Sequence, residues 1–355
     1  DRSHFGSSHK LKRVWVSKLA VPAQTMGAVE SAACTCERAC GGRQQESIFE
    51  KPPTSGEKHN HYKTADVVEE TPGDDAYGDM VPVSESISTS YFGREEPEFS
   101  SLVGMTQSTG RVFRTHRFKT GSTYSGQWVG NARDGLGRME WPDGATYTGE
   151  WKRNKATGFG HFQHREGDIY CGEWFESAAH GKGIYRHRDE TKYEGNFKQD
   201  LQEGYGIETW PDGSSYRGQF AAGKKHGKGV YQWPDGSEYA GDWDENQING
   251  NGAYKGSDGR IFKGQWEAST MNGSGLYEWP DGRSYTGQYD HDQKDGFGVF
   301  TQSDGQCYEG FWRKGRQHGS GRLQSSNGDV EVYTWENGKR IDNGGKLEPQ
   351  PEWTG

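Results

Sequence analysis

Along residues 124–328 the apolar positions keep a strand-like spacing of two inside a much longer period. Tyr124, Gly126 and Trp128 stand at i, i+2 and i+4, and the triplet returns every 23 residues. It recurs at Tyr147/Trp151, Tyr170/Trp174, Tyr193/Phe197, Tyr216/Phe220, Tyr239/Trp243, Phe262/Trp266, Tyr285/Tyr289 and Tyr308/Trp312. Eleven residues after each leading ring comes Gly-x-Gly, from Gly135/Gly137 to Gly319/Gly321, without a slip. Nine registers agreeing at two motifs exclude coincidence. Residues spaced by two share one face of a strand, so each period predicts a β-hairpin with its rings and glycines on the same face. Gly137, Met139 and Trp141 carry that face onto the returning strand. The Met139 position is an aromatic or Leu in later periods, except at Glu208. Pro142-Asp143-Gly144, Pro211-Asp212-Gly213, Pro234-Asp235-Gly236 and Pro280-Asp281-Gly282 mark one set of turns. The opposite turns, such as Val129 to Asp134, read as looser and charged.

The predicted fold is therefore all-β: an extended, twisted, single-layer antiparallel sheet of tandem hairpins. Nine full repeats from Tyr124 give eighteen strands, hence a ribbon about 85–90 Å long that right-handed twist should coil. Half-repeats at Val112–Gly121, with Phe118 in the place of Trp141, and at Val332–Trp335 read as caps for the open ends.

Composition sharpens the domain boundary. Hydrophobic residues are only 30% of the 355, against about 45–50% in ordinary globular chains. Residues 1–109 hold 9 of the 54 glycines and 8 of the 46 aromatics. Residues 41–109 carry 13 acidic against 5 basic side chains and no sustained periodicity. Such a segment buries too little apolar area to offset its ordering entropy. The expected organisation is a leader or non-native start at 1–25, a disordered acidic segment at 26–109, the repeat array at 110–345 and a tail at 346–355. No run reaches the roughly 18–20 apolar residues of a membrane-spanning helix. A net charge of −9 argues against nucleic acid as a partner.

Tyr-x-Gly-x-Trp, then Gly-x-Gly, then Asp-Gly on this period closely resembles the MORN (membrane occupation and recognition nexus) repeat family over residues 124–328. Phe262 at a leading position, and Glu166-Gly167 and Asp189-Glu190 in place of Asp-Gly, are local departures. The resemblance implies a non-catalytic scaffold that supports membrane apposition, cytoskeletal assembly or oligomerisation. Behind this reading it implies two alternatives: first an axonemal component like radial spoke heads, and second the regulatory region of a phosphatidylinositol phosphate kinase-like protein.

Further signals bear on partners. Met26-Gly27-Ala28-Val29-Glu30-Ser31 fits the N-myristoylation pattern if translation starts at Met26. Cys34, Cys36 and Cys40 follow as acceptors for the second acyl chain that stable anchoring needs. Residues 1–25 read as coding sequence would make Gly27 internal; their Ser and basic content also resembles a transit peptide. Lys152, Arg153, Lys155, Lys224, Lys225, Lys228, Arg313, Lys314 and Arg316 are candidate contacts for anionic lipid. An aromatic face of a single layer invites an elongated homodimer through residues 285–335.

Gly223-Lys224-Lys225-His226-Gly227 lacks the glycine and Ser/Thr of a phosphate loop. Cys34-x-Cys36-x₃-Cys40 with His59-x-His61 fits no structural zinc spacing. His180, His226 and His318 share one repeat position and lie hairpins apart. No catalytic constellation, metal or cofactor is expected, and five cysteines suggest a reducing compartment without disulfides. The expected location is the cytoplasmic face of a membrane or the cytoskeleton, or alternatively a ciliary axoneme.

Overall fold

The computed structural model describes residues 91–102 and 110–341. Twenty-one strands form one open antiparallel sheet in which every strand pairs with its chain neighbours. β1 (Val112–Arg117) pairs with β2 (Thr123–Val129), β2 with β3 (Ala132–Glu140), and so on to β20 (Val330–Glu336) and β21 (Lys339–Ile341). Each of the nine repeats contributes a seven-residue strand and a nine-residue return. The Val112 half-repeat forms β1, and its Phe118–Ser122 turn has the bonding of Trp141–Ala145. The three-residue β21, which the periodicity does not announce, closes the far end.

The nine-residue return is longer because it carries a bulge, and the two glycines of Gly-x-Gly act differently there. The first, Gly135 in the opening repeat, has φ +109° and forms the bulge. The second, Gly137, lies flat under a ring. A Cβ on it would sit 2.2–2.5 Å from the Tyr124 ring and hydroxyl. The Tyr124 hydroxyl donates to the Gln127 carbonyl at 3.1 Å. The same bond recurs from Tyr147, Tyr170, Tyr193, Tyr216, Tyr239, Tyr285 and Tyr308 at 2.8–3.1 Å. The variable residue after Gly126 also has a fixed task. Gln127 Oε1 accepts the Leu136 N–H at 2.8 Å, covering a donor that the bulge leaves without a strand partner. Glu150, Glu173, Gln219, Asp242, Gln265 and Gln288 do likewise at 2.7–3.3 Å.

Hairpins are bound to one another by the second ring of each motif. Trp151 Nε1 donates to Gly137 O, fourteen residues back in the previous repeat, at 3.2 Å. Trp174, Trp243, Trp266 and Trp312 make the equivalent bond at 3.2–3.4 Å. Each leading ring meets two such rings edge-on: Tyr147 lies 5.0 Å from Trp151 and 5.1 Å from Trp174. Edge-to-face pairs contribute about 0.5–1.5 kcal/mol each beyond the area they bury.

Phe262 is the one leading ring without a hydroxyl, although its Cζ sits over Gly264 as the tyrosines do over their glycines. Phe262→Tyr should restore the bond to the Gln265 carbonyl and stabilise the array by about 0.5–1.5 kcal/mol. The denaturation midpoint should rise at unchanged slope; a lower midpoint would show that the ring position there differs.

The opposite turns are not loose. Arg153-Asn154, Glu176-Ser177, Gln199-Asp200, Glu245-Asn246, Ala268-Ser269 and His291-Asp292 are two-residue turns with positive φ at both positions, the conformation that matches strand twist. Their second residue reaches the previous repeat. Asn154 donates its N–H to Arg133 O at 3.0 Å and accepts the Arg133 N–H on Oδ1 at 2.7 Å. Asn, Ser and Asp occupy this position because they tolerate φ > 0 and carry an acceptor at short reach.

Candidate functional site: an aromatic face and its latch

Residues 91–102, which the acidic composition places in the disordered segment, lie on the ring-bearing face of the first repeats. Tyr91, Phe92 and Phe99 are buried there. Tyr91 packs edge-on against Trp141 at 5.0 Å and Phe162 at 5.5 Å. Phe92 enters between Trp141, Tyr147 and Trp174 at 5.2–5.4 Å. A short helix, α1 (Glu96–Phe99), then sets Phe99 on Phe118. The departure from the sequence reading has a simple cause. Averaged charge hides three aromatics within nine residues, and a finished aromatic face supplies the apolar surface the segment lacks.

Polar contacts fix the register of this latch. The Tyr91 hydroxyl donates to Asp143 Oδ2 at 3.0 Å, and Arg94 lies 3.6 Å from the same oxygen. Glu95 accepts the Ser122 hydroxyl at 2.8 Å and the Thr120 hydroxyl at 3.4 Å. Glu98 accepts the Lys119 N–H at 2.7 Å and faces His116 Nε2 at 3.3 Å. The Lys119 N–H first, and His116 with it, hold the Glu98 carboxyl below its ordinary range. Beneath the latch Arg133 is fully buried between the rings of Trp151 and Phe99, at 4.1 and 4.7 Å. Burial pulls its guanidinium down to about 10, with Glu95 opposing the shift.

Farther along, the same face contains a second buried cation. Lys225 Nζ is 3.5 Å from Glu208, both side chains at most 6% exposed. This explains why Glu208 interrupts the ring column. Burial raises the Glu208 carboxyl, and Lys225 opposes the rise. Lys225 is therefore not a surface contact for lipid, because its position points into the aromatic face.

The other candidate basic residues are exposed except Lys155, which is half-buried with its Nζ 3.8 Å from Glu96, and all but Lys228 flank the two-residue turns. Lys152 and Lys155 face each other there, as do Arg313 and Arg316 with Lys314 between them. Lys224 pairs with Glu245 at 3.1 Å and Lys228 pairs with Asp242. Acidic turns at Glu176, Asp244-Glu245 and Asp290 separate these clusters, so they form no continuous rim. Gly27, Cys34, Cys36 and Cys40 lie outside the described residues. Cys171 is buried and Cys307 is free. Among the described residues no group of three potential metal ligands converges, and no helix is long and apolar enough to cross a membrane.

The model of the MORN repeat matches nine consecutive segments, 124–146, 147–169, 170–192, 193–215, 216–238, 239–259, 262–282, 285–307 and 308–330. No curated protein matches the chain in sequence. Among solved structures it is similar to the TCP10 domain of Danio rerio CPAP, at 15% identity and TM-score 0.33 over 57% of this chain and 95% of that one. The SAS-4 (dCPAP) TCP domain of Drosophila melanogaster, in complex with a proline-rich motif of Ana2, is 14% identical with TM-score 0.29, over 50% and 90%. Virginiamycin B lyase from Staphylococcus aureus is 10% identical with TM-score 0.13, over 65% and 71%.

Proposed function

The chain belongs to the MORN repeat family, and we propose that it is a non-catalytic scaffold, held at a membrane surface by an acylated N-terminal segment, on which protein assemblies are organised. The coarser part of this reading has direct support: a continuous sheet of matched repeats is consistent with a scaffold. The observation that carries it is the bonding between repeats. A turn N–H fastens each hairpin to the one before it, joined at most seams by a tryptophan N–H or a turn side chain, so the array keeps its two faces at fixed spacing. A stiff ribbon suits presentation of surfaces, while the polar groups along it are engaged in holding the repeats together.

The membrane half of the reading is supported by the sequence at Gly27, Cys34, Cys36 and Cys40 and by the basic clusters around Lys152 and Arg313. One myristoyl chain gives reversible binding and a second acyl chain makes it stable. Self-association through residues 285–335 belongs to the same proposal. In cells, Gly27→Ala should move the protein from the detergent-released to the soluble fraction. An unchanged membrane fraction, or an intact mass with unmodified Gly27, would count against the anchor.

A further inference from the structure

The surface that receives the latch is present twice. Four repeats, or 92 residues, separate Trp141 from Trp233, Phe162 from Tyr254 and Tyr147 from Tyr239. The geometry follows the sequence: Trp141–Phe162 are 6.0 Å apart at 66°, and Trp233–Tyr254 are 5.7 Å apart at 73°. In both places the tryptophan leaves a buried indole Nε1 without a hydrogen-bond partner. The cation is conserved in place, too. Arg133 lies 6.0 Å from Phe118 and 5.9 Å from Tyr124; Lys225, at the same offset, lies 4.8 Å from Trp210 and 5.7 Å from Tyr216. Trp141 and Phe162 are sealed by Tyr91 and Phe92, whereas Trp233 and Tyr254 are only partly buried. A further two repeats along, Trp279 and Phe300 repeat the ring pair at 5.8 Å, but Met271 stands in the place of Arg133 and Lys225, and the cation there is Lys294, one repeat later, 5.0 Å from Trp279 and 6.0 Å from Phe300.

We propose that the face around Trp233 and Tyr254 docks a segment of a partner polypeptide bearing two adjacent aromatic residues followed by basic ones. The latch shows how the rings sit. The residues that differ between the two surfaces set the charge of the occupant. Asp235 stands where Asp143 receives Tyr91 and Arg94; its Oδ2 accepts the exposed Ser257 hydroxyl at 3.1 Å, a donor that an incoming tyrosine hydroxyl can replace, with an arginine three residues later beside it. Three of the four anchors of the latch's acids have changed; the fourth, Ser122, is kept as Ser214, whose hydroxyl is turned to Asp212 at 2.6 Å. Thr120, which donates to Glu95, becomes Asp212; His116, which faces Glu98, becomes Glu208; Lys119, whose N–H binds Glu98, becomes Pro211. Two donors are replaced by carboxylates and the third by a residue with no N–H. Glu208 is already matched by Lys225, but the exposed Asp212 would repel an acid at the position of Glu95, Pro211 offers no N–H to one at the position of Glu98, and the exposed carboxylates of Asp212 and Asp235 would draw in cations. The chain's own latch is thus matched to the first surface and excluded from the second.

The inference rests on the scaffold reading and names one partner chemistry for it. Its test is independent of membrane attachment. A fluorescent peptide of residues 91–102 carrying Glu95→Lys and Glu98→Lys is titrated against the full chain, beside the native peptide and a scramble of the substituted one. The substituted peptide should bind at least tenfold more tightly than either. Trp233→Ala should abolish binding, and Asp235→Asn, which keeps the turn acceptor while removing the charge, should weaken it tenfold. Trp141→Ala should leave it unchanged. Equal binding of native and substituted peptides would assign the face to a second copy of this chain and overturn the proposal. So would equal binding of the scramble, loss on Trp141→Ala in place of Trp233→Ala, or no binding at millimolar peptide. Each of these outcomes leaves the membrane partition untouched, so the proposal and the anchor fail separately.

Discussion

Gly229→Ala should destabilise the middle of the array by about 3 kcal/mol or more, far beyond the ~1 kcal/mol of an ordinary Gly→Ala change in a turn. The reason is steric and local. A Cβ on Gly229 would lie 2.3–2.5 Å from the hydroxyl, Cε2 and Cζ of Tyr216. That ring cannot retreat, because its hydroxyl is bonded to Gln219 O at 2.9 Å and its sides meet Phe220 and Trp243 at 5.1 and 5.2 Å. Displacing it forfeits the hydrogen bond and two edge-on contacts together. Gly213→Ala is the informative contrast. Nothing lies within 4 Å of a Cβ there, and only its φ of +92° resists the change. It should cost about 1–2 kcal/mol. Combining Gly229→Ala with Tyr216→Ala should cost much less than the sum, since the second change removes the obstacle to the first. Denaturant melts of the four proteins check this; additivity would mean that the ring is not what excludes the side chain.

The contrast between these glycines marks what the sequence made legible. The 23-residue period placed the nine repeat hairpins, the two half-repeats that flank them and the face that carries the rings, because one pattern repeated nine times averages out local exceptions. Contacts that cross between repeats were less visible. The side chain of Gln127 and its successors is polar at an exposed position, so it reads as solvated surface, although eight of nine repeats carry Gln, Glu, Asn or Asp there. The two-residue turns read as loose because Arg153, Glu176 and Gln199 carry no turn signature. Their geometry is imposed by the bond from the following residue to the previous hairpin. Glu208 looked like an error in a ring column, and Lys225 like a surface charge, because a pair seventeen residues apart is invisible to a motif of five. The latch was hidden for the opposite reason: its three aromatics are informative only once the face they cover is known.

Trp243→Ala should destabilise the array by about 3–5 kcal/mol, the range for deleting a buried aromatic. Trp243 is 2% exposed and stands between two leading rings, 5.2 Å from Tyr216 and 5.5 Å from Tyr239. Its indole N–H crosses to Gly229 O in the previous repeat at 3.3 Å. Removal therefore opens a cavity, breaks two ring contacts and leaves a carbonyl short of one partner, all at the seam between two hairpins. Phe197 and Phe220 occupy the same position elsewhere and keep the ring contacts at 5.0–5.1 Å without the N–H. Trp243→Phe should accordingly lose only about 1 kcal/mol for the hydrogen bond, together with a smaller packing deficit. Because each repeat contacts only its neighbours, the loss should not be shared evenly. Amide exchange should accelerate first in Tyr216–Gln232 and Glu238–Lys255, while the latch-covered repeats before residue 170 retain their protection. Uniform acceleration along the sheet would mean that the repeats unfold as one unit, and that the seam at Trp243 is no weaker than the hairpins it joins.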